Sequence, residues 1–503
     1  AANIEIAGDG VEIHDFTIAS PDAVSGFYSS GVVVDAPNVH VHDNLFSTAS
    51  AGSLDDISQA IQNHIDSDAS GLRIIGNQFA SFGAGAAGYE GIYINAQGSG
   101  AGGVTVEGNT LGGELIRGIT TERGAVAIDN NQITTTLTPM GAGLAVGDSL
   151  QAINISGAPV GVSVTNNTAH GFSDDVRVGS ASGGPVDALV LTGNTLDSIR
   201  LRNTITNGTL ADAVATVRVD NDAASIQQGI DLAAVGGTVE VSAGTYTEDL
   251  VISKDGLELA GADSATTTIK GVAMTAAGLW PLAAANIEIA GDGVEIHDFT
   301  IESPDAAVGY YSSGLVIGGD NVEIHANTFR TASAASLDDI SQALQTYRDA
   351  ANPTGGSVDG LNIHGNTFES SGTGVAGYEA IFINHTSSDP TPTGQVVIDE
   401  NTIGGAVIRA ITTERSNTVI SNNAITTSLV PKEESLNAGE ALQGILVYDF
   451  SQRPQQDVTV NGNTIGGEAD GQGFSPDIQI GGSGQSIANT GVSGNTGGVD
   501  IAG

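Results

Sequence analysis

One eight-residue pattern, apolar-x-apolar-x-x-Asn-x-apolar, constrains this chain more than any other feature, because it returns again and again in the same setting. It reads VHVHDNLF, LRIIGNQF, VTVEGNTL, VAIDNNQI, VSVTNNTA and LVLTGNTL in the first half, then VEIHANTF, LNIHGNTF, VVIDENTI, TVISNNAI and VTVNGNTI in the second. The alternation predicts a short strand with one buried face, and the asparagine predicts a turn into the next strand. Asparagine suits the turn because it tolerates the left-handed backbone region and can bond stacked amides. Recurrence every 22 to 40 residues within each half makes the unit a coil of a solenoid with loops of variable length. The asparagines (Asn44, Asn77, Asn109, Asn131, Asn167 and Asn194, then Asn327, Asn366, Asn401, Asn423 and Asn463) would stack in a ladder about 4.8 Å apart.

The composition suits such a body. Aromatics are 4% of the 503 residues and Gly numbers 70, so the core has to be built from small and β-branched side chains. Asp and Glu total 58 against 15 Lys and Arg, a formal net charge of -43. Such a surface repels itself unless salt or divalent cations screen it, which predicts an extracellular or cell-surface location in a salt-rich or calcium-bearing medium. With no basic stripe apparent in the sequence, nucleic-acid binding is disfavoured and no nucleic-acid partner is expected. There is no Cys, hence no disulfide and no thiolate metal site. No run of eighteen apolar residues spans a membrane, and no targeting segment is apparent at the first residues.

The chain is also duplicated. AANIEIAGDGVEIHDFTI occupies residues 1–18 and returns unchanged at 284–301, and both copies continue with SLDDISQA, GYE and ITTER in the same order. Between the copies, residues 220–271 predict an amphipathic helix over 223–234 and then strands, a segment suited to covering the open end of a solenoid. The expected organisation is a module at 1–215 lacking its opening segment, an opening segment at 216–283, and the coils of the second module at 284–503. A chain cut from a longer tandem array, or one whose first coil is capped by another copy, would look like this.

The repeated motif and the helical opening segment resemble the right-handed parallel β-helix of the pectin-lyase-like superfamily, over nearly the whole chain. The resemblance implies an all-β solenoid of two tandem modules. Polysaccharide lyases and hydrolases abound in that superfamily, but the carboxylate cluster with an Arg or Lys base that it implies for a lyase, and the Asp-Asp-Arg and Gln arrangement that it implies for an esterase, are not recognisable here.

Coil-on-coil alignment brings polar residues together. Ser30, Glu90, Arg117 and Gln151 form one expected column, and Ser313, Glu379, Arg409 and Gln443 its twin. Glu beside Arg one rung away is a natural ion pair that fixes register. Tyr93, Asn95, Glu122 and Arg123, with Phe382, Asn384, Glu414 and Arg415, are expected on the outward side, where an aromatic beside amide, carboxylate and guanidinium suits a sugar. For glycoside hydrolysis, which needs two carboxyl groups about 5 to 9.5 Å apart, the candidates are Glu90 with Glu122 and Glu379 with Glu414. An Arg beside each favours the ionised form and works against a general acid.

SLDDISQA predicts a short helix in both copies, capped by Ser53 or Ser336. Asp55 and Asp56, with Asp338 and Asp339, offer oxygens to an optional Ca2+, although no dedicated calcium loop surrounds them. His40 and His42 share a strand face as two ligands would, but with no third ligand in sequence they read as surface histidines, like His14, His297 and His325. Sequons at Asn154, Asn166, Asn207 and Asn384 permit glycosylation. No cofactor is required. The leading functional expectation is a structural or adhesive β-helical protein that assembles with other copies of itself. A polysaccharide-binding or polysaccharide-degrading protein and a viral receptor-binding spike are the alternatives.

Overall fold

The computed structural model of the chain describes residues 2–20, 29–50, 58–64, 67–82, 88–96, 102–138, 150–181, 183–220, 223–272, 283–303, 311–332, 341–346, 358–371, 377–384, 394–430, 442–448, 457–481 and 489–501. It divides into two compact units, Ala1–Ala234 and Val235–Gly503. Each is an all-β parallel β-helix, since every strand pairing recorded within it is parallel and joins one coil to the next.

A coil of the first unit visits three sheets. Ser29–Val34 lies in the first, His40–His42 in the second and Leu45–Ala49 in the third, and the next coil continues with Ser58–Asn63, Arg73–Ile75 and Gln78–Phe82. The second unit repeats the plan with Tyr311–Ile317, Glu323–His325 and Thr328–Ala332, then Ser341–Thr346, Asn362–His364 and Thr367–Ser371. Inward positions stack like on like. Ile92, Ile119, Ile153, Val176, Ile199 and Val217 form one fully buried column, and Phe46 stacks on Phe79 as Phe329 does on Phe368, at 4.9 and 4.7 Å between ring centres. Each such aliphatic side chain contributes about 2 kcal/mol of burial.

The asparagines stack as a bonded ladder. The side-chain Nδ2 and main-chain N of Asn109 both donate to Oδ1 of Asn131, at 3.0 Å each, and Asn131 does the same to Asn167 at 2.9 Å. Each Nδ2 also donates to a carbonyl of the preceding coil, as Asn131 does to Val106. The second unit runs Asn327, Asn366, Asn401, Asn423 and Asn463 in the same way and adds Asn495 as a further rung. In the first unit Asp212 receives Asn194 in that role. The expected left-handed residue is displaced by one position: Asp43, Gly76, Asn130, Ala326 and Glu400 carry the positive φ, immediately before the ladder asparagine. The preceding residue makes the turn, and the asparagine satisfies the amides that the turn buries.

The helix expected over 223–234 spans Ile226–Leu232, capped by Ser225, and buries Ile226, Ile230 and Leu232. Gln228 on it accepts from the Ile205 N–H and donates to the Ile205 carbonyl, so a side-chain amide completes the pairing of that coil. Of the segment SLDDISQA, expected to be helical, residues 53–57 and 336–340 lie outside the described residues, and the part that is described is strand. Ser58–Asn63 and Ser341–Thr346 are strands, each paired on both sides. Ladder bonding and burial on both faces outweigh the weak helical preference of so short a segment. Among the described residues no helix is long and apolar enough to cross a membrane.

Candidate functional site

In the first sheet, Gly31, Ala60, Gly91, Gly118 and Ala152 of the first unit, and Gly314, Ala343, Ala380, Ala410 and Gly444 of the second, each precede a buried aliphatic and follow a polar residue, whereas Asp175, Ser198 and Thr216 take that position further along the first unit. A Cβ built on Gly91 would lie 2.6 Å from Leu111, and one on Gly118 would lie 2.6 Å from Ile133, so these positions face the core and admit no larger side chain. Their predecessors, Glu90 and Arg117, therefore face away from it. Register places Ser30, Gln59, Glu90, Arg117, Gln151 and Asp174 in one column, and Ser313, Gln342, Glu379, Arg409 and Gln443 in its twin. The expected column is thus present, and both units extend it with a Gln from the segment expected to be helical.

Its chemistry is matched between the units. Gln59 donates to Glu90 Oε2 at 2.8 Å and Arg117 donates to Oε1 at 2.5 Å, while Gln342 and Arg409 hold Glu379 at the same two distances. Gln62 donates to Ser30 at 2.7 Å and Gln345 to Ser313 at 2.6 Å. Glu90 and Glu379 are almost wholly buried. With both oxygens held by donors, neither is placed to deliver a proton. The catalytic pairing of Glu90 with Glu122 gains nothing from the geometry either, because Glu122 Oε1 accepts the Tyr93 hydroxyl at 2.8 Å. Burial, and then that hydrogen bond, raise the Tyr93 hydroxyl above its ordinary value.

Part of the expected outward face is corrected. Asn95 is buried, with its N–H donating to Asn63 Oδ1 and its Nδ2 to the Asn63 carbonyl. Asn384 is bonded to Thr346 in the same manner. Arg123 is buried against the Gly102 carbonyl, and Arg415 against Asp359 and the Gly394 carbonyl. Both sit just past a strand end where the chain turns, so their side chains fold back to satisfy carbonyls instead of lining a groove. Burial lowers the Arg123 guanidinium from its usual value. Glu414 is nearly buried, and Tyr93 and Phe382 remain half-exposed. Asp55, Asp56, Asp338 and Asp339 lie outside the described residues.

Beyond Tyr93 the same sheet carries a feature that the asparagine motif does not disclose. The outward column runs Tyr93, Thr120, Asn154, Arg177, Arg200 and Arg218. Arg202 lies beside it, so four of the chain's 15 basic residues gather here. Among the described residues, Asp174 and Asp220 pair with them. Asp174, fully buried, bonds Arg200 Nε at 2.8 Å and lies 3.7 Å from Arg218, and Asp220 lies 3.0 Å from Arg200 and 3.2 Å from Arg202. Arg177 Nε is buried with no hydrogen-bond partner among the described residues. Burial first, and then the Arg202 guanidinium, hold Arg177 down to about 10, so it stays charged at neutral pH. A signal existed in the sequence: DVRV, SIRL and TVRV each set an Arg between two apolar residues of a strand. In the second unit the matching column runs Phe382, Thr412, Leu446, Gln479 and Asp500.

No protein-family model matches the chain, and no curated protein does. Among solved structures it is similar to a PL6 family alginate lyase, AlyGC, with 10% identity and a TM-score of 0.28 over 99% of this chain and 96% of that one. An arginine mutant of the same lyase is similar at 10% identity and a TM-score of 0.23, over 100% and 96%. Scores this low carry no argument about activity, and the assignment of fold rests on the strand pairing described above.

Proposed function

We propose that this protein binds an acidic polysaccharide along the first sheet of its first unit. The observation that supports this reading is the arginine column, four guanidiniums against two carboxylates in a chain of net charge -43. Guanidinium pairs with carboxylate or sulfate in a two-pronged fashion. Successive rungs repeat about every 4.8 Å, so a linear polyanion laid across them would meet cations in sequence. Salt at physiological strength confines the repulsive field of the acidic surface to about 8 Å, leaving the local cluster to decide binding. Tyr93, half-exposed, extends the column with an aromatic edge.

The reading is binding and not cleavage, because Glu90 and Glu379 have both oxygens held by donors and Glu122 accepts from Tyr93. A purely architectural role accounts for Arg200, Arg202 and Arg218 through their carboxylate and carbonyl partners, but not for Arg177, whose Nε has no hydrogen-bond partner among the described residues. The test is calorimetry of the full chain with alginate, polygalacturonate, a sulfated glycan and neutral dextran. Saturable binding to at least one acidic polymer, absent for dextran and weakened about tenfold by Arg177→Gln (about 1.4 kcal/mol), is the expected result. Equal binding of dextran, or indifference to Arg177→Gln, would overturn it. Release of unsaturated or reducing ends from any of these polymers would return the catalytic reading.

A further inference from the structure

On the second sheet of each unit, histidines and glutamates interleave. In the second unit Glu258, Glu295 and Glu323 are register neighbours in one column, and His297, His325 and His364 in the next. Each histidine reaches the glutamate one coil earlier: His297 Nε2 to Glu258 at 3.2 Å, His325 Nε2 to Glu295 at 2.8 Å and His364 Nε2 to Glu323 at 2.8 Å. The imidazoles stack with centres 4.9 and 5.1 Å apart. In the first unit Glu12 pairs in register with His40 and His14 with His42, and His42 Nε2 lies 2.6 Å from Glu12. Six of the chain's nine histidines stand in these two places.

Two donor sets are compact. The ligand atoms of Glu295, His297 and His325 lie within 4.8 Å of one another, and so do those of Glu12, His40 and His42. The third ligand, which the sequence around His40 and His42 lacks, is therefore a glutamate one coil away. A second observation concerns the other ring nitrogen. Asp298, Asp43 and Asp15 come directly after His297, His42 and His14 in the left-handed conformation, and each folds its carboxylate back onto Nδ1 of its histidine at 2.8 Å. A carboxylate on Nδ1 fixes the tautomer that leaves the Nε2 lone pair outward, the usual support of a metal-bound imidazole. A neutral imidazole has a single N–H, so a ring with carboxylates at both nitrogens needs a second proton or a cation between Nε2 and its glutamate.

We propose that each of these clusters binds a divalent transition ion, Zn2+ or a relative with the same preference for imidazole and carboxylate. Glu295, His297 and His325 supply one set, and Glu12, His40 and His42 the other. Imidazole donors select against Ca2+ and Mg2+, which take oxygen ligands. The clusters are half-exposed, so water fills the remaining positions. Protons compete for the same nitrogens, and binding therefore strengthens as pH rises.

The test is calorimetric titration of the chelator-stripped full chain with Zn2+ and Ni2+ in physiological salt, with Ca2+ as the control for loose binding to surface carboxylates. The expected result is two sites per chain, insensitive to excess Ca2+, with His325→Ala removing one and His42→Ala the other. Their melting temperatures in chelator should match the parent, which shows that the variants fold. Cu2+ electron paramagnetic resonance should show nitrogen couplings that the double variant lacks. Titration indistinguishable from Ca2+, or Zn2+ sites that survive both substitutions, would overturn the proposal. Histidine resonances that titrate identically with and without Zn2+ would show that the second position is filled by a proton alone.

Discussion

The two units share one polar ladder and differ in the outward column beside it. Gln59, Glu90 and Arg117 match Gln342, Glu379 and Arg409 in residue, register and distance. The outward column turns to Arg177, Arg200 and Arg218 in the first unit, and to Gln479 and Asp500 in the second. Both units form complete coils, so the coil does not require the arginines. What the duplication retained is accounted for by the buried polar groups of the sheet, and what it let diverge marks where the two faces can differ in function.

That comparison breaks first if its shared part is not equally needed. Asn131 and Asn423 each donate to two carbonyls and to the next asparagine. Asn131→Leu and Asn423→Leu should each cost about 3 to 5 kcal/mol, since several buried partners lose their bonds at once. Calorimetry of the full chain should find the two losses within about 1 kcal/mol of each other.

The divergent part should respond unequally. Arg200→Ala leaves the buried Asp174 without its nearest guanidinium and should cost about 3 kcal/mol. Asp500→Ala, its counterpart in the matching column, should cost under about 1 kcal/mol in the same urea titration. Adding Asp174→Asn to Arg200→Ala should recover part of the loss.

A pH difference sharpens the contrast. Burial pushes the Asp175 carboxyl up to about 6, against the N–H groups of Asp197 and Ser198, which pull it down. The folded state then binds the proton more tightly than the unfolded chain. Its contribution to stability is full below the unfolded value of about 3.9 and is lost as pH rises through about 6. Stability should therefore fall over that window, and Asp175→Asn should flatten this part of the profile in denaturation at stepped pH.

The smallest expected effect is Tyr93→Phe, which copies Phe382 and removes only the hydroxyl bonded to Glu122. It should cost about 0.5 to 1.5 kcal/mol.

The solenoid was legible because its signal is periodic: VTVEGNTL and its relatives state strand, turn and ladder residue in eight positions. The Glu90 to Arg117 pair could be aligned for the same reason. Other features depend on distances that the sequence does not state. Gln59 was hidden in a segment whose local pattern favours a helix, while Asn95 and Arg123 look like surface groups until the turn that buries them is known. The third ligand beside His40 and His42 is a residue 28 positions before His40, because coils of unequal length bring it there. The arginine column escaped notice because its three strands contain no asparagine motif, although each sets Arg between apolar neighbours.

The most direct test of acidic-glycan binding is amide hydrogen exchange of the full chain with and without a saturating acidic oligosaccharide. The expected result is protection at 174–178, 198–201 and 214–219 of the first unit, with none at 443–447, 478–480 and 499–501 of the second. Protection of the second unit's strands, or binding with no change at the arginine strands, would contradict it.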